Sequence, residues 1–369
     1  MSTTTASLAL AALKKNAQNI ANTQTLVGLD GFVDTIIHVV ATRESATKFK
    51  RLHQMADFGA KISAAAGLSA NFEFITEAIK LGGNGPIMAN ALAAQGQKIT
   101  YLGNLGFPNI HPVFHDFTKN AHVISLAEPG YTDAIEFDDG KLMCGKHEGL
   151  KDVNWNNILK HVPEEDFIQL FEQSALIALV NWTMLTSMSA IFKKILTVVA
   201  PKLTGPKRWI FFDLADPAKR TREDLQEALT LIGKFQKTFK VILGLNLQEA
   251  RQVGQLYGIP PCSDTQEAVA TQAVALQKAL GLETVVVHPT HFAAAADATS
   301  SAVVAGPFTA KPKITTGAGD HFNAGFCLGR LLDDDLAVSL QLGVATSGYY
   351  VRNAKSPSLN ELKKFLGTL

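Results

Sequence analysis

The sequence predicts an α/β protein built on a mostly parallel sheet. From residue 175 onward, short apolar runs alternate with longer stretches of helical character. Strands that recur in this way, each pair separated by a helix, are typical of a parallel sheet covered on both faces. An apolar share of 47% in 369 residues is ample for the core of such a fold. The four strand-like runs are Leu176–Val180, Trp209–Asp213, Val241–Gly244 and Thr284–Val287.

Charge, cysteine content and hydropathy argue against several classes of protein. A formal net charge of +1 gives no reason to expect nucleic acid or a membrane surface as partner. Cys144, Cys262 and Cys327 lie far apart, which argues against a disulfide framework or a structural zinc site. Lysines follow the apolar run Ala6–Leu13 rather than precede it, unlike in a signal peptide, and no apolar stretch approaches bilayer length. We therefore predict a cytoplasmic protein.

The N-terminal part predicts a helix, a strand and a loop. Residues 6–22 suit an amphipathic helix, and residues 25–34 suit a first strand that runs into a loop. Asp30 and Asp34 lie in this otherwise apolar segment, where burial without partners would be costly. We expect protein donors or a polyhydroxylated ligand to bind them. Ligand binding is favoured for Asp34, because an apolar run resumes directly after it.

The next third of the chain predicts a glycine turn and a hairpin. Residues 42–81 hold two polar helical patterns, and the glycine-rich turn 81–86 then precedes a helix of small residues. Residues 99–106 suit another strand and turn. The segment 124–149 is punctuated by glycine and aspartate and contains two β-like pieces. We interpret it as a hairpin that could cover a site as a lid.

Polar residues follow the ends of most of the predicted strands. In open α/β sheets, ligands bind outside the carboxyl ends of the strands. We therefore expect these side chains to converge on one edge of the sheet. They are Asp30, Asp34, Asn181, Asp213, Asp216, Asn246, Glu249 and the turn 317–320.

The stretch 313–326 organises the rest of the chain. It suits a short strand end, the turn Gly317-Ala318-Gly319-Asp320, and a largely buried helix. The glycines allow backbone N–H groups to approach a ligand, and the start of a helix adds unpaired N–H groups and a positive dipole end. Such a place suits phosphate. Asp320 could accept a proton from an incoming hydroxyl there, although a simple helix cap would give the same pattern.

Together these motifs resemble the ribokinase-like, or PfkB-type, carbohydrate kinases. The motif from Thr315 to Asp320 is specific, whereas Asp34, Gly82-Gly83 and Asn246-Leu247-Gln248-Glu249 count mainly through their order and spacing. The resemblance covers nearly the whole chain. It implies a ribokinase-like three-layer α/β/α sandwich with a mostly parallel central sheet and a small β-lid. It also implies that ATP, with Mg²⁺, phosphorylates a hydroxyl of a small sugar-like substrate.

The resemblance also implies roles for individual residues. Asp320 would be the general base, and the N–H groups of Gly317, Ala318 and Gly319 would form an anion hole for the γ-phosphate. An Asp of ordinary pKa is ionised at neutral pH, so no large shift is needed for this role. Candidate substrate-binding residues are Asp34, Gly83, Asn84 and the weaker Asp30; candidate nucleotide-binding residues are Asn246, Glu249, Thr316 and Asn323.

Two of these assignments have structural alternatives. We expect Glu249 to hold magnesium through water, since this ion keeps several waters and needs few carboxylates. Asn246 and Glu249 also fit a helix N-cap with an acid at its third position. Asn323, which would face the nucleotide, fits a buried helix amide equally well.

Three positions depart from the family pattern. Ile314 stands where the family usually has an Asp that helps to hold an activating monovalent cation, which puts potassium activation in doubt. The strand-turn 287–291 lacks the usual glycine-rich turn beside the nucleotide, and its histidines favour an exposed loop. Ile87 stands where many sugar kinases place an amide that binds a substrate hydroxyl.

We expect residues 1–369 to form one kinase domain, with lid elements from 35–80 and 124–150. The lid could also serve as a dimer clasp, so a homodimer stays open. A phosphotransferase that acts on a sugar is the preferred function. The alternatives are a nucleoside kinase, with a pocket near Phe32, Phe72 and Trp182, and a catalytically quiet binding protein. The sugar, its acceptor hydroxyl and the choice between ATP and ADP are left open by the sequence.

Overall fold

The computed structural model describes residues 4–332 and 335–369, which form two sheets with helices around the larger one. The strands are β1 Gln24–Leu29, β2 Phe32–Arg43, β3 Phe49–Arg51, β4 Phe74–Gly82, β5 Lys98–Gly103, β6 Ala121–Ser125, β7 Gly130–Phe137, β8 Gly140–Lys146, β9 Leu176–Leu179, β10 Trp209–Asp213, β11 Lys240–Leu245, β12 Thr284–Val287, β13 Phe292–Ala296 and β14 Ser301–Ala305. The helices are α1 Thr5–Lys15, α2 Ala17–Asn22, α3 Met55–Ala64, α4 Asn84–Ala94, α5 His115–Thr118, α6 Trp155–His161, α7 Glu164–Gln173, α8 Met188–Lys194, α9 Arg222–Phe235, α10 Leu247–Leu256, α11 Gln266–Leu280, α12 Ala318–Leu332, α13 Leu336–Asn353 and α14 Leu359–Leu366.

The larger sheet is mostly parallel. Within the described residues it has nine strands in the order β14-β13-β12-β11-β10-β9-β1-β5-β6. Every neighbouring pair from β12 to β6 is parallel, and β13 and β14 add an antiparallel edge. The strands β9 to β12 match the four apolar runs of the sequence, and almost all of their residues are buried. The predicted sheet is therefore confirmed.

Helices cover both faces of this sheet. Along β10, Ile210 and Phe212 pack into a core with α7 to α11, whereas Trp209 and Phe211 pack into a second core with α4, α12 and α13. This alternation follows from the two-residue period of a strand. It confirms the predicted α/β/α sandwich. Among the described residues, no helix combines the length and apolarity that crossing a bilayer requires.

A smaller sheet of five described strands is built around β2. Strand β2 pairs with β3, β4 and β7, and β7 pairs with β8. The antiparallel β7–β8 pair is the predicted hairpin. Strand β2 follows β1 after only Asp30 and Gly31, so the chain leaves the larger sheet there. The extent of a lid, and the single domain, stay predictions.

Four local expectations differ from the structure. Asp34 lies within β2 rather than in a loop, and residues 42–81 contain one helix with β3 and β4 instead of two helices. The β-branched residues of β4 favour strand, and they pair with β2 along most of its length. No strand precedes the turn at Gly317, because Pro307 and Pro312 interrupt backbone pairing between residues 306 and 315. The predicted helix 6–22 is divided into α1 and α2 at Asn16.

Candidate active site

One edge of the larger sheet carries a chain of hydrogen-bonded polar residues. Asn181, after β9, donates from Nδ2 to Asp30 Oδ2 at 2.6 Å. The Asp30 carboxylate, after β1, also accepts the backbone N–H groups of Asn84 at 3.0 Å and Gly85 at 2.8 Å. Asn84 Nδ2 then donates to Asp320 Oδ1 at 2.8 Å. The structure thus joins Asp30, the glycine turn before α4 and the start of α12.

Asp30 organises the turn before α4. Its side chain is fully buried, and burial raises its pKa to about 6 despite the hydrogen bonds that it accepts. Gly83 precedes α4 with φ of 96°, a conformation that favours glycine. A Cβ on Gly85 would lie 2.6 Å from Asp30 Oδ1. Asp30 therefore binds protein donors, the first of the two alternatives that the sequence leaves open.

We expect Asp30→Ala to lower the free energy of unfolding by about 3 kcal/mol, because buried N–H groups would lose their acceptor. Removal of the carboxylate also removes the free-energy cost of burying it, which offsets part of that loss. Urea denaturation measures the change, with the exposed Asp152→Ala as a control that should stay within about 0.5 kcal/mol. A loss below about 1 kcal/mol for Asp30→Ala would contradict this role.

Asp320 lies in the first turn of α12 and is 8% exposed. Burial raises its pKa to about 7, with smaller contributions from the charges of Asp30 and Glu249, while the bond from Asn84 lowers it. The role of general base needs no large shift of the pKa, yet the pKa of Asp320 is raised. The cause is burial next to other carboxylates, which disfavours the ionised form.

The turn before Asp320 is closed by its own backbone. Gly317 has φ of 86°, and the Ala318 N–H donates to the Thr315 carbonyl at 3.1 Å. The Ala318 N–H is thus used inside the turn. The Gly319 N–H belongs to the first turn of α12, where no intrahelical acceptor exists. Thr316 is exposed, and its hydroxyl contacts Lys141 Nζ.

Two more carboxylates lie close to Asp320. Glu249 and Asn246 form a complete capping box at the start of α10, and Glu249 Oε1 also accepts the Asp216 N–H at 2.9 Å. Asn323 is a buried helix amide whose Nδ2 donates to Asp213 Oδ2 at 2.9 Å. The structural alternatives for Asn246, Glu249 and Asn323 are therefore all present.

Asp213 has no role in the family resemblance, but it lies near Glu249 and Asp320. Burial raises its pKa well above the ordinary value, and the charges of Glu249 and Asp320 raise it further. Burial likewise raises the pKa of Glu249. Repulsion among these three carboxylates would be relieved by a cation. The only sequence signal for Asp213 is its position at the end of β10.

A cleft of about 740 Å³ lies between the smaller sheet and the turn. Asp34 lines it, and burial raises the pKa of this carboxyl, although a bond from Thr132 and the charge of Lys141 oppose the shift. The wall also includes Ile87, Lys141 and Thr316. Asp34, unlike Asp30, is therefore open to a ligand. No pattern in the sequence pointed to Lys141.

Other candidates lie outside the cleft wall. Phe32 and Trp182 are buried in the core under α7 to α9, and Phe72 packs against Phe58 in a separate cluster. The predicted aromatic pocket for a nucleoside is therefore not formed by these rings. His288 is half-buried rather than exposed, and burial lowers its pKa to about 4. His291 is exposed, as expected.

Comparison with known proteins identifies the family. Residues 1–368 match the family model described as prokaryotic ketohexokinase. A ketohexokinase of Haloferax volcanii is 28% identical over 342 residues, which cover 92% of this chain and 90% of that relative. The match to this family confirms the carbohydrate kinase resemblance seen in the motifs.

Solved structures show the fold. A ribokinase of Arabidopsis thaliana, complexed with ribose and ATP, has a TM-score of 0.62 at 14% identity, covering 94% of this chain and 98% of that one. A nucleoside kinase of Methanocaldococcus jannaschii has a TM-score of 0.59 at 13% identity, with coverage of 94% and 98%. The fold alone therefore does not separate sugar kinases from nucleoside kinases, whereas the family model does. The chain belongs to the prokaryotic ketohexokinase family and is a carbohydrate kinase, a phosphotransferase with an alcohol group as acceptor, for which the family implies ATP as co-substrate.

Proposed function

We propose that the protein is an ATP-dependent ketohexokinase in which Asp320 is the general base. The observation that carries this proposal is the position of Asp320. It is a buried carboxyl at the start of α12, with its pKa raised to about 7, beside the left-handed turn at Gly317. The family model and the Haloferax volcanii relative support a ketohexose as the acceptor.

The chemical step balances with one base. A hydroxyl oxygen of the sugar forms a bond to the γ-phosphorus, the bond from that phosphorus to the β–γ bridging oxygen breaks, and ADP leaves. The hydroxyl proton passes to the Asp320 carboxylate. A base whose pKa lies near the working pH suits this transfer, because it is partly ionised and still holds the proton well. The bond from Asn84 fixes the carboxyl for it.

The start of α12 would stabilise charge on the transferring phosphoryl group. The N–H groups of Gly317 and Gly319 are the donors that suit an anion hole, together with the positive end of the helix dipole. Ala318 was expected to join them, but its N–H donates to Thr315. We therefore assign the anion hole to Gly317 and Gly319.

Magnesium fits the acidic side of the site. Asp213 and Glu249 are buried carboxylates, and both have raised pKa values. In residues 4–332 and 335–369, no group of three His, Cys, Asp or Glu side chains could hold a metal by itself. These two residues would therefore hold Mg²⁺ mostly through water and phosphate oxygens. When bound, the ion would supply positive charge that offsets the negative charge of the phosphates.

Asp34 would bind hydroxyls of the sugar, with the smaller sheet acting as the lid. The bond between Lys141 and Thr316 already links this sheet to the turn before α12. We also propose that residues 1–369 form one domain, with lid elements from 35–80 and 124–150, and that the protein is cytoplasmic. Whether it forms a homodimer is left open.

We expect Asp34→Ala to raise the KM for the sugar about ten- to a hundredfold, with a smaller effect on kcat. The reason is that a hydrogen bond to a charged group is worth about 1.5–3 kcal/mol. Steady-state kinetics with varied sugar measures it. The matched control is Asp133→Ala on the neighbouring strand β7, where the carboxylate pairs with Lys146 at 2.8 Å. Equal KM values in both variants would count against Asp34.

The function itself is tested by ADP release with Mg²⁺ and ATP. The acceptors are a ketohexose, an aldohexose and a nucleoside, each supplied alone. We expect the highest kcat/KM with the ketohexose. A nucleoside that outperforms both sugars would overturn the proposal, and release that is independent of any acceptor would indicate ATP hydrolysis instead.

A further inference from the structure

Two stacked rings lie beneath the turn that precedes Asp320. The ring centroids of His321 and Tyr350 are 3.6 Å apart, with planes inclined by 13°. The Tyr350 hydroxyl donates to the Thr316 carbonyl at 2.9 Å. His321 Nδ1 donates to the Gly317 carbonyl at 2.7 Å, and the backbone N–H of His321 reaches the same oxygen at 3.1 Å. One ring pair therefore holds two successive carbonyl groups.

Holding a carbonyl also fixes the N–H group of the same peptide. A peptide bond is planar and trans, so its N–H points opposite to its C=O. The Thr316 carbonyl, held by Tyr350, fixes the direction of the Gly317 N–H, an anion-hole donor. The Gly317 carbonyl, held by His321, fixes the peptide whose Ala318 N–H closes the turn onto Thr315. Tyr350 also stands against Gly317 itself, since a Cβ there would lie 3.1 Å from its hydroxyl.

Two further side chains form a hydrogen-bonded chain with the His321 ring. Its Nε2 lies 2.8 Å from Ser356 Oγ, and Asn90 Nδ2 donates to the same hydroxyl at 3.2 Å. Because Nδ1 donates to a carbonyl, Nε2 is the acceptor and the Ser356 hydroxyl donates to it. His321 is buried, and burial lowers its pKa to about 4. The neutral ring with a proton on Nδ1 is thus kept across the neutral pH range.

We propose that His321 and Tyr350 are positioning residues: Tyr350 aims the Gly317 N–H at the transferring phosphoryl group, and His321 holds the closed shape of the turn that this direction requires. Ser356 and Asn90 hold the His321 ring in place. The inference rests on the proposed function, because it assigns a purpose to the anion hole. Neither ring transfers a proton to substrate in this account. Their main effect should therefore appear in the transition state of phosphoryl transfer.

The test compares Tyr350→Phe, His321→Leu and His321→Asn with the control Tyr349→Phe. Tyr349 lies on the same helix and packs edge-on against Phe365, away from the turn. Steady-state kinetics gives kcat and the KM for a ketohexose. A second assay measures affinity for ADP alone and for ADP with aluminium fluoride, which mimics the phosphoryl group in transfer.

We expect kcat to fall about tenfold or more in Tyr350→Phe and His321→Leu, since a misaligned anion hole loses part of an effect of ~10²–10³ per donor. Both rings also line the cleft that contains Asp34, so the deciding readouts are kcat and the affinity for ADP with aluminium fluoride. Affinity for ADP with aluminium fluoride should fall with kcat, while affinity for ADP alone stays constant. His321→Asn should recover part of the loss, because its amide can still donate to the Gly317 carbonyl.

Unchanged kcat in Tyr350→Phe and His321→Asn would overturn the proposal, and so would a rise in sugar KM alone or an equal loss of affinity for ADP. These two conservative variants keep the test valid if His321→Leu does not fold. The variant Asp320→Asn distinguishes failure of the ring proposal from failure of the proposed function. If that variant is inactive while the ring variants match the control, only the ring proposal fails. If the intact protein phosphorylates no sugar, the proposed function fails, and the aluminium fluoride assay still decides the role of the rings.

Discussion

Asp320→Asn is expected to lower kcat by about three orders of magnitude, because an amide cannot accept the proton of the attacking hydroxyl. Asn has the same shape and can still accept the bond that Asn84 makes at 2.8 Å. The turn should therefore persist, and the KM values for ATP and sugar should change by no more than about threefold. ADP release at saturating substrates measures the effect. A variant that keeps a tenth of the intact kcat would not fit a general base at this position.

Stability provides the control for this variant. The pKa of Asp320 is about 7 in the folded protein, against 3.8 for an ordinary Asp. The native state therefore holds a proton that the unfolded chain has released, and the stability from this group is lost as pH rises from about 4 through 7. Asp320→Asn has no carboxyl at this position, so its stability does not decrease in this way as pH rises. The difference in unfolding free energy between Asp320→Asn and the intact protein should therefore shift in favour of the variant by on the order of 2 kcal/mol between pH 5 and pH 8. A gain that does not change with pH would contradict the raised pKa.

Gly317→Ala is expected to lower kcat by about a hundredfold, the cost of losing an anion-hole donor. Gly317 has φ of 86°, which is unfavourable for alanine. The new methyl group would also lie 3.1 Å from the Tyr350 hydroxyl and 3.2 Å from Ile87 Cγ2, so the turn would have to move. Steady-state kinetics with varied ATP measures the loss.

Gly258→Ala is the matched control for this change. Gly258 has φ of 69°, and a Cβ there would meet no described atom within 4 Å. Both variants should lose about 1 kcal/mol of unfolding free energy from the backbone alone. Only Gly317→Ala should lose activity. Equal kcat values in the two variants would mean that the geometry of the Gly317 turn does not matter for transfer.

The sequence predicted the larger sheet well and the smaller one poorly. Strands β9 to β12 are buried on both faces, so each is a short continuous apolar run that is visible in the sequence. Strand β4 is mostly exposed, with Glu77 and Lys80 interrupting its apolar residues, and was interpreted as helix. Its conformation comes from pairing with β2. Pairing partners distant in sequence leave little local signal.

In the candidate site, too, local sequence patterns could be predicted, whereas contacts between residues distant in sequence could not. The turn from Gly317 to Asp320 has a local pattern, so it could be recognised in the sequence. Asp213 contacts Asn323, 110 positions away, and Asn84 contacts Asp320, 236 positions away. Those pairs depend on the fold, as does the burial that raises the pKa of Asp320. The order of the motifs can therefore indicate a kinase, but it does not show which residues position Asp320 or raise its pKa.

The most direct test of the central claim is phosphorus NMR of the intact protein with Mg²⁺, ATP and a ketohexose. We expect a new phosphomonoester resonance that grows in step with ADP, and that grows about three orders of magnitude more slowly in Asp320→Asn. Inorganic phosphate in place of the sugar ester, or an equal rate of ester formation in Asp320→Asn, would contradict this claim.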